Sequence, residues 1–447
     1  MENNYTYLKL IQSQNLTFWD VKSYNQQDIA SQYKVEKLQN LLIEHTKKVK
    51  LFEKPEDDYK ILGVNNQEGL FDAYIEKGKN INQPYKKVEN GYFAYNPYRI
   101  NVGSIGLKSD KQKYDYISPA YVVFSCKNDL YPQYLEILLK TKYFAQAIRH
   151  NTTGSVRQTL GFDNLCNISI PLPSIEKQKE LVKEYEKLQD LIIQIENETK
   201  NIESSINEYL LFAHGYKTTN FCKKHTSNVY QGLKFVNYSQ LNHWDYNFFF
   251  NPYKQEVEQT SFPLKSFGEL CSSICSGKDA RNYQNSGVEY LRVSNVRPGK
   301  LLLNDVKYIE KMPDNKNGKV AKGDFIITRK GSYGYAVYLD FIDHEYAICS
   351  EIFKIYLKEN VNQKYLEYVF NSKIVQSQIE NVKTRGIMGS INIPSLKSIQ
   401  IPIPDIEIQQ KIIQEVDARK NKINFLIGKS NDLKQQALSN FEKEVFN

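Results

Sequence analysis

A chain of 447 residues with 41% hydrophobic and 25% charged residues is too long for one ordinary core and too apolar for extensive disorder, so about two to four domains are expected. It has no apolar run of 18 or more residues, and its opening MENNYTYLKL lacks a basic-then-apolar layout; both exclude a spanning helix or secretory signal and lead to the expectation of a cytoplasmic protein. The net charge of +8 favours a polyanionic partner but also fits a chain without one.

The six cysteines (Cys126, Cys166, Cys222, Cys271, Cys275, Cys349) form no CxxC pair, which argues against a disulfide framework or structural zinc. Cys222 with His225 supplies two of the four ligands zinc needs, so no metal is expected.

In chain order, Trp19-Asp20 opens a stretch of about 150 residues of strand-like and short helical segments, marked by Leu62-Gly63-Val64 and Gly91-Tyr92-Phe93. Tyr95-Asn96-Pro97-Tyr98-Arg99 then runs into Gly103-Ser104-Ile105-Gly106, followed by Ile117 before an apolar strand and by Tyr134-Leu135-Glu136. The stretch ends in ISIPLPSIEKQKELVKE, from Ile168 to Glu184. Pro173 suits the loop before a helix and Ser174 its N-cap. Beyond them Leu181, Tyr185, Leu188, Ile192, Ile195, Ile202, Ile206 and Tyr209 follow heptad spacing. Gly215 ends this helix, and Lys217 to Gln240 reads as a connector.

The plan then repeats. Trp244-Asp245, Leu291-Arg292-Val293, Gly323-Asp324-Phe325, Ile348 and Tyr365-Leu366-Glu367 match the landmarks of the first copy, and IQIPIPDIEIQQKIIQE from Ile399 to Glu415 matches the exit. Eight of the seventeen exit positions are identical, at a spacing of 231 from Ile168 to Ile399. Pro404 and Asp405 repeat the loop and N-cap, and Ile412, Val416, Ile423, Leu426, Leu433 and Ala437 repeat the apolar seam. Arg419 interrupts that seam, and Thr199 and Ser430 give each helix one matched polar position. A helix of about 40 residues is about 60 Å long and needs a partner for its apolar face. The expected fold is therefore α+β: two similar domains separated by two long antiparallel coiled-coil helices, as a pseudo-twofold internal duplication. The alternative is that each helix packs on its own globular unit.

Two similar units on a rigid spacer suit a DNA site with two separated halves. The paired Trp-Asp and Gly-x-Phe segments, the Tyr95 to Gly106 stretch and above all the paired Ile-Pro-x-Pro exits also resemble the specificity subunits of Type I restriction-modification enzymes, over essentially the whole chain. The resemblance implies target-recognition domains at 1–170 and 226–401, a central long helix and connector at 171–225 and a C-terminal long helix at 402–447. It implies a non-catalytic subunit that reads a bipartite double-stranded DNA site and docks two adenine methyltransferase subunits, to which restriction/translocase subunits attach. It implies no cofactor of its own; S-adenosylmethionine, ATP and Mg would be used by the partner subunits.

Candidate DNA contacts are basic and small polar residues in glycine-bearing loops, since glycine admits phosphate, Arg pairs with guanine and Asn with adenine. They are Arg99, Ser104, Lys108 and Arg157 in the first half, and Arg292, Asn295, Arg297, Arg329, Lys330, Ser332 and Arg385 in the second. Asn96-Pro97-Tyr98 and Asn251-Pro252-Tyr253 lack the second proline of an adenine methyltransferase motif, and Gly277-Lys278 is followed by Asp279 instead of the Ser or Thr of a phosphate-binding loop. A duplicated DNA-modifying enzyme or nuclease, and a two-domain protein adaptor, remain the competing readings.

Overall fold

The computed structural model describes residues 29–152, 159–216, 259–280, 282–359, 361–382 and 389–446. The two Trp-Asp pairs, the Lys217 to Gln240 connector, Cys222 with His225, and Asn251-Pro252-Tyr253 lie outside the described residues. The chain divides into two compact units, Met1–Glu196 with Gly428–Asn447, and Asn197–Ile427.

The first unit contains β1 (Lys34–Lys37), α1 (Leu38–Leu41), β2 (Leu42–Glu44), β3 (Lys48–Val49), β4 (Asp58–Asn65), β5 (Gly69–Lys77), β6 (Tyr85–Lys87), β7 (Tyr92–Tyr95), β8 (Ile105–Leu107), β9 (Tyr116–Ile117) and β10 (Val122–Cys126). It continues through α2 (Pro132–Leu138), α3 (Lys142–Asn151), α4 (Phe162–Cys166), β11 (Ser169–Leu172) and the long α5 (Ile175–Ala213). Aromatic and β-branched residues fill the central strands, and Pro132 starts α2 where its missing N–H is harmless. One sheet runs β2-β10-β7-β8 and another β3-β6-β9-β4-β5, with β4 and β9 parallel. A short pair, β1 with β11, sets Val35 opposite Pro171.

The second unit contains β12 (Leu264–Ser266), α6 (Phe267–Leu270), β13 (Cys271–Ser276), β14 (Val288–Leu291), β15 (Val296–Arg297), β16 (Lys300–Leu301), β17 (Lys307–Ile309), β18 (Lys319–Val320), β19 (Phe325–Thr328), β20 (Ala336–Tyr338), β21 (Tyr346–Ile348) and β22 (Ile352–Leu357). Then come α7 (Gln363–Phe370), α8 (Lys373–Val382), α9 (Ile393–Lys397), β23 (Gln400–Pro402) and α10 (Ile406–Phe446). Its sheets β13-β22-β19-β20 and β17-β14-β21-β18 repeat the order of the first unit apart from β3, which has no counterpart, down to the parallel pair β14 and β21. The duplication is therefore one of topology. Gly91 and Gly323, matched in the sequence, turn at φ of +83° and +94° with open space around each, so the left-handed backbone demands glycine there.

The same bonds lock both exits. The buried Tyr134 hydroxyl donates to Pro171 O at 2.9 Å and that of Tyr365 to Pro402 O at 2.7 Å. Nε2 of Gln178 donates to Pro173 O at 2.9 Å and that of Gln409 to Pro404 O at 2.8 Å.

The helices run antiparallel. In the first unit Tyr185 faces Phe441 and Glu196 pairs with Lys434 at 2.7 Å; in the second Glu198 pairs with Lys422 at 2.7 Å, and Leu210 shares a core with Ile412 and Val416. Of the seam residues, Leu181, Ile192, Ile195, Ile412, Val416, Ile423 and Leu426 are buried, and Tyr185, Leu188, Ile202, Ile206 and Leu433 half-buried. Arg419 fits the seam because its guanidinium lies 4.4 Å from the Tyr209 ring centroid while it pairs with Glu415 at 2.8 Å.

Both long helices contribute residues to the two cores. Each is divided between the units, because its apolar stripe completes a globular core as well as facing its partner helix. Leu181 and Val182 join Phe93, Phe124, Tyr134, Phe441 and Val445 in the first core; Leu210, Ile412 and Val416 join Phe267, Phe353 and Phe370 in the second. The borrowed helix ends are held alike: Ser31 Oγ donates to Val445 O at 2.5 Å, and Thr260 Oγ1 to His214 O at 2.8 Å.

His214 is fully buried, with Nδ1 2.6 Å from Leu210 O and Nε2 2.7 Å from the Tyr365 hydroxyl. Burial lowers its pKa from 6.5 to about 4. The unfolded chain therefore takes up a proton below pH about 6.5 that the folded unit refuses, so stability is complete above that pH and falls by about 3 kcal/mol as pH approaches 4. Replacing His214 with Val, the residue at the matching position 445, is expected to flatten this loss in urea titrations between pH 7 and 4.5.

Candidate nucleic-acid interface

The sheet topology puts one hairpin tip of each unit in the same place, between β7 and β8 and between β19 and β20. In the first tip Asn96 Oδ1 accepts the Tyr98 N–H at 3.0 Å, the Arg99 N–H donates to Asn96 O at 3.0 Å, and Gly103 reverses the chain at φ +86°. The Leu160 N–H donates to Pro97 O at 3.0 Å and the Tyr95 hydroxyl to Leu160 O at 3.1 Å, so the tip is clamped from behind. In the second tip the Ile391 N–H donates to Arg329 O at 2.9 Å and the Gly331 N–H to Gly389 O at 3.3 Å. Leu160 and Ile391 hold matching positions, so the clamp is duplicated as well.

These clamps present Arg99, and Arg329 with Lys330, to solvent; Ser332 is half-buried. The Arg329 guanidinium lies 5.6 Å from the Phe353 ring centroid and Lys330 3.6 Å from Glu351, both contacts weak enough at the surface to be exchanged for a phosphate. Sequence reasoning missed Tyr98 and Val102, exposed by 60% and 55% beside Arg99. The signal was there: a spacing of 231 carries Arg99 onto Lys330 and marks the whole tip.

Other candidates are spent on the fold. Lys108 is buried, its ammonium donating to Val88 O at 2.8 Å and to Asp115 at 2.6 Å. Ser104 is buried within the strand-entry turn, where its N–H donates to Arg99 O at 3.2 Å. Asn295 is buried too: Oδ1 accepts the Arg292 N–H at 2.9 Å while Nδ2 donates to Leu302 O at 2.9 Å. All three are buried, and the side-chain polar groups of Lys108 and Asn295 are bonded within their own unit. Arg292 is half-buried and tied to Asp305 at 3.0 Å, a bond that, ahead of Lys307, holds the Asp305 carboxyl below its ordinary range. Arg297 is half-buried with Nη1 donating to Val296 O at 2.8 Å. Arg157 and Arg385 lie outside the described residues.

Further positive charge is internal. Lys354 donates to Asp324 at 2.7 Å and Lys86 to Tyr121 O at 2.8 Å, and burial lowers the Lys86 pKa. Burial pushes the thiols of Cys126 and Cys271 up to about 12 and those of Cys166 and Cys349 to about 11, so all four are protonated at neutral pH. The Gly277 and Lys278 N–H groups donate to Ile352 O and Ile348 O, which withholds them from a phosphate. Among the described residues no group of three or more His, Cys, Asp or Glu is arranged to hold a metal, and no helix is long and apolar enough to cross a membrane.

Residues 256–435 match the family described as the Type I restriction modification DNA specificity domain. Over 315 residues, 66% of this chain, it is 24% identical to the EcoBI specificity subunit of Escherichia coli, covering 62% of that protein. Over 287 residues, 61% of this chain, it is 25% identical to the EcoKI specificity subunit of Escherichia coli strain K12, covering 56% of it. The chain thus spans roughly three fifths of the length of these curated relatives. A chain from a structural study of complex assembly and conformational transition in the type I R-M system shares the fold, with a TM-score of 0.56 at 12% identity over 94% of this chain and 98% of that one.

The reassigned Asn295 gives a direct check. Asn295→Ala is expected to cost about 2 kcal/mol in urea unfolding by stranding several backbone groups, whereas Arg99→Ala should stay within about 0.5 kcal/mol.

Proposed function

We propose that this chain, whose residues 256–435 match the Type I restriction modification DNA specificity domain, is the sequence-reading subunit of a Type I restriction-modification complex and does no chemistry itself. Residues 1–170 and 226–401 form the two target-recognition domains, each reading one half of a bipartite site in double-stranded DNA. The observation that carries this reading is the repetition of one clamped, exposed, basic hairpin tip, with Arg99 in one unit and Arg329 and Lys330 in the other. A guanidinium on such a tip can pair bidentately with guanine, and an ammonium can neutralise a phosphate. Arg157 and Arg385, in the segments leading into the two clamps, together with Arg292, Arg297 and Ser332, are further contact candidates.

The helices α5 and α10 act as the spacer between half-sites and as the docking surface for two methyltransferase subunits, through which restriction subunits attach. Apolar side chains left outside the seam support docking: Leu191 and Ile193 on α5, and Phe425, 70% exposed, with Ile427 on α10.

Arg99→Ala is expected to weaken duplex binding by about 1–3 kcal/mol and relax discrimination in one half-site, and the Arg329→Ala, Lys330→Ala pair to do the same in the other. Fluorescence anisotropy with duplexes altered in one half at a time reads this; equal loss across both halves would overturn the division of labour. Inserting four residues into each long helix lengthens it by about 6 Å, close to two base-pair rises of about 3.4 Å. The preferred gap, mapped from methylated adenines in host DNA when the chain is co-expressed with its methyltransferase, should lengthen accordingly. An unchanged gap would exclude the spacer role.

A further inference from the structure

The second hairpin tip carries a carboxylate among its cations. One step beyond the Thr328–Ile352 pair of β19 and β22, Glu351 stands opposite Arg329, and the Arg329 N–H donates to Glu351 O at 2.8 Å. The turn that bears Glu351 is braced from within and from outside. The Ile352 N–H donates to Cys349 O at 3.1 Å, while Asp279 Oδ1 accepts the Ser350 hydroxyl at 2.7 Å and the Ser350 N–H at 3.2 Å. With the Ile391 clamp on Arg329 O, the two residues are held side by side, Arg329 exposed and the Glu351 side chain 45% exposed.

The Glu351 carboxylate is not committed to the fold. Among the described residues it accepts no hydrogen bond, and its ion pair with Lys330, at 3.6 Å, is too long to be one. A spacing of 231 puts the exposed Ala120 at this place in the first unit, so the charge is particular to the second. On a surface that meets phosphates, a fixed carboxylate lowers affinity for every duplex alike unless it finds a donor. Duplex DNA offers donors only at base edges: cytosine N4 and adenine N6 in the major groove, guanine N2 in the minor. The major groove also admits a two-stranded ribbon such as this tip. Beside adenine N6 lies the N7 acceptor, which repels a carboxylate. A G·C pair instead presents the guanine acceptors N7 and O6 and then the cytosine N4 donor. Arg329 and Glu351, a donor and an acceptor held side by side, match that order.

We propose that Glu351 is a specificity-determining residue of the second half-site, accepting the N4 amino group of a cytosine whose guanine partner is contacted by Arg329. Lys330, freed from its weak ion pair, meets a phosphate. This inference rests on the DNA reading above and deepens it: the half-site read by residues 226–401 contains a G·C pair that the tip recognises from both bases.

The test uses the full chain and selection from a randomised duplex library, followed by fluorescence anisotropy on the selected site. The wild-type chain is expected to enrich a two-part site with a required G·C pair in one half. Glu351→Ala should lose the preference at that pair alone, with an unchanged thermal melt. Replacing the cytosine of that pair by pyrimidin-2-one, which lacks the 4-amino group, should weaken wild-type binding about tenfold more than it weakens Glu351→Ala binding. Glu351→Gln adds an amide donor and should shift the preference toward adenine, whose N6 and N7 that side chain meets together. If Glu351→Ala enriches the same site as the wild type, or binds all duplexes more tightly by the same factor, Glu351 is only a repelling surface charge; the inference then falls while the DNA reading stands. A wild-type chain that enriches no duplex overturns both.

Discussion

Each Ile-Pro-x-Pro exit faces a backbone problem that the rest of the structure depends on solving. Proline lends no N–H to a ladder, yet its carbonyl, once buried, still needs a donor. Tyr134 and Tyr365 supply it to the prolines in the strands, and Gln178 and Gln409 to the prolines before the helices. A tyrosine hydroxyl from α2 or α7 and a glutamine from the first turn of α5 or α10 thereby fix the direction in which each long helix leaves its domain. With that direction set, the apolar stripe of each helix lies first against its own core and then along its partner. These residues explain why Tyr, Pro and Gln are among the positions identical in both copies.

Closure of the units follows. Each core is completed by the far end of the other copy's helix, held by a hydroxyl near the unit's first strand, Ser31 in one and Thr260 in the other. The two copies meet this shared demand with different chemistry. In the first unit Ile137 is buried and Glu136 pairs at the surface with Lys140. In the second the corresponding Tyr368 bonds Asp417, and the buried Glu367 accepts the Tyr338 N–H at 2.7 Å with Lys420 at 3.7 Å. Burial raises the Glu367 pKa, opposed by Lys420 and the Tyr338 bond. An apolar contact tolerates small shifts of the helix, whereas a buried polar network accepts only the register that satisfies it.

Charge is partitioned between fold and surface. Buried lysines such as Lys86, Lys108 and Lys354 serve backbone carbonyls, two of them with a carboxylate as well, and contribute little field outside. Net charge is therefore a poor guide to where a polyanion sits, and the hairpin tips matter more because their clamps make no use of the cationic groups there. Arg99, Arg329 and Lys330 keep their cationic groups in solvent at a fixed place, the arrangement that recognition of a rigid duplex asks of a protein.

The sequence by itself determined the duplication, the α+β class, the strand-to-helix exits and the apolar seams, because proline chemistry and heptad spacing act over a few residues and were written twice. It also identified Arg419 and the matched polar positions as departures from the seam. Only the tertiary structure decided which candidate side chains are spent inside. Lys108 and Asn295 look like surface polar residues until Asp115, Val88, Leu302 and Arg292 arrive from other parts of the chain. The division of each long helix between two cores was likewise decided there. Burial and hydrogen-bond satisfaction are properties of what surrounds a residue, and for these residues the surroundings come from segments far away in the chain.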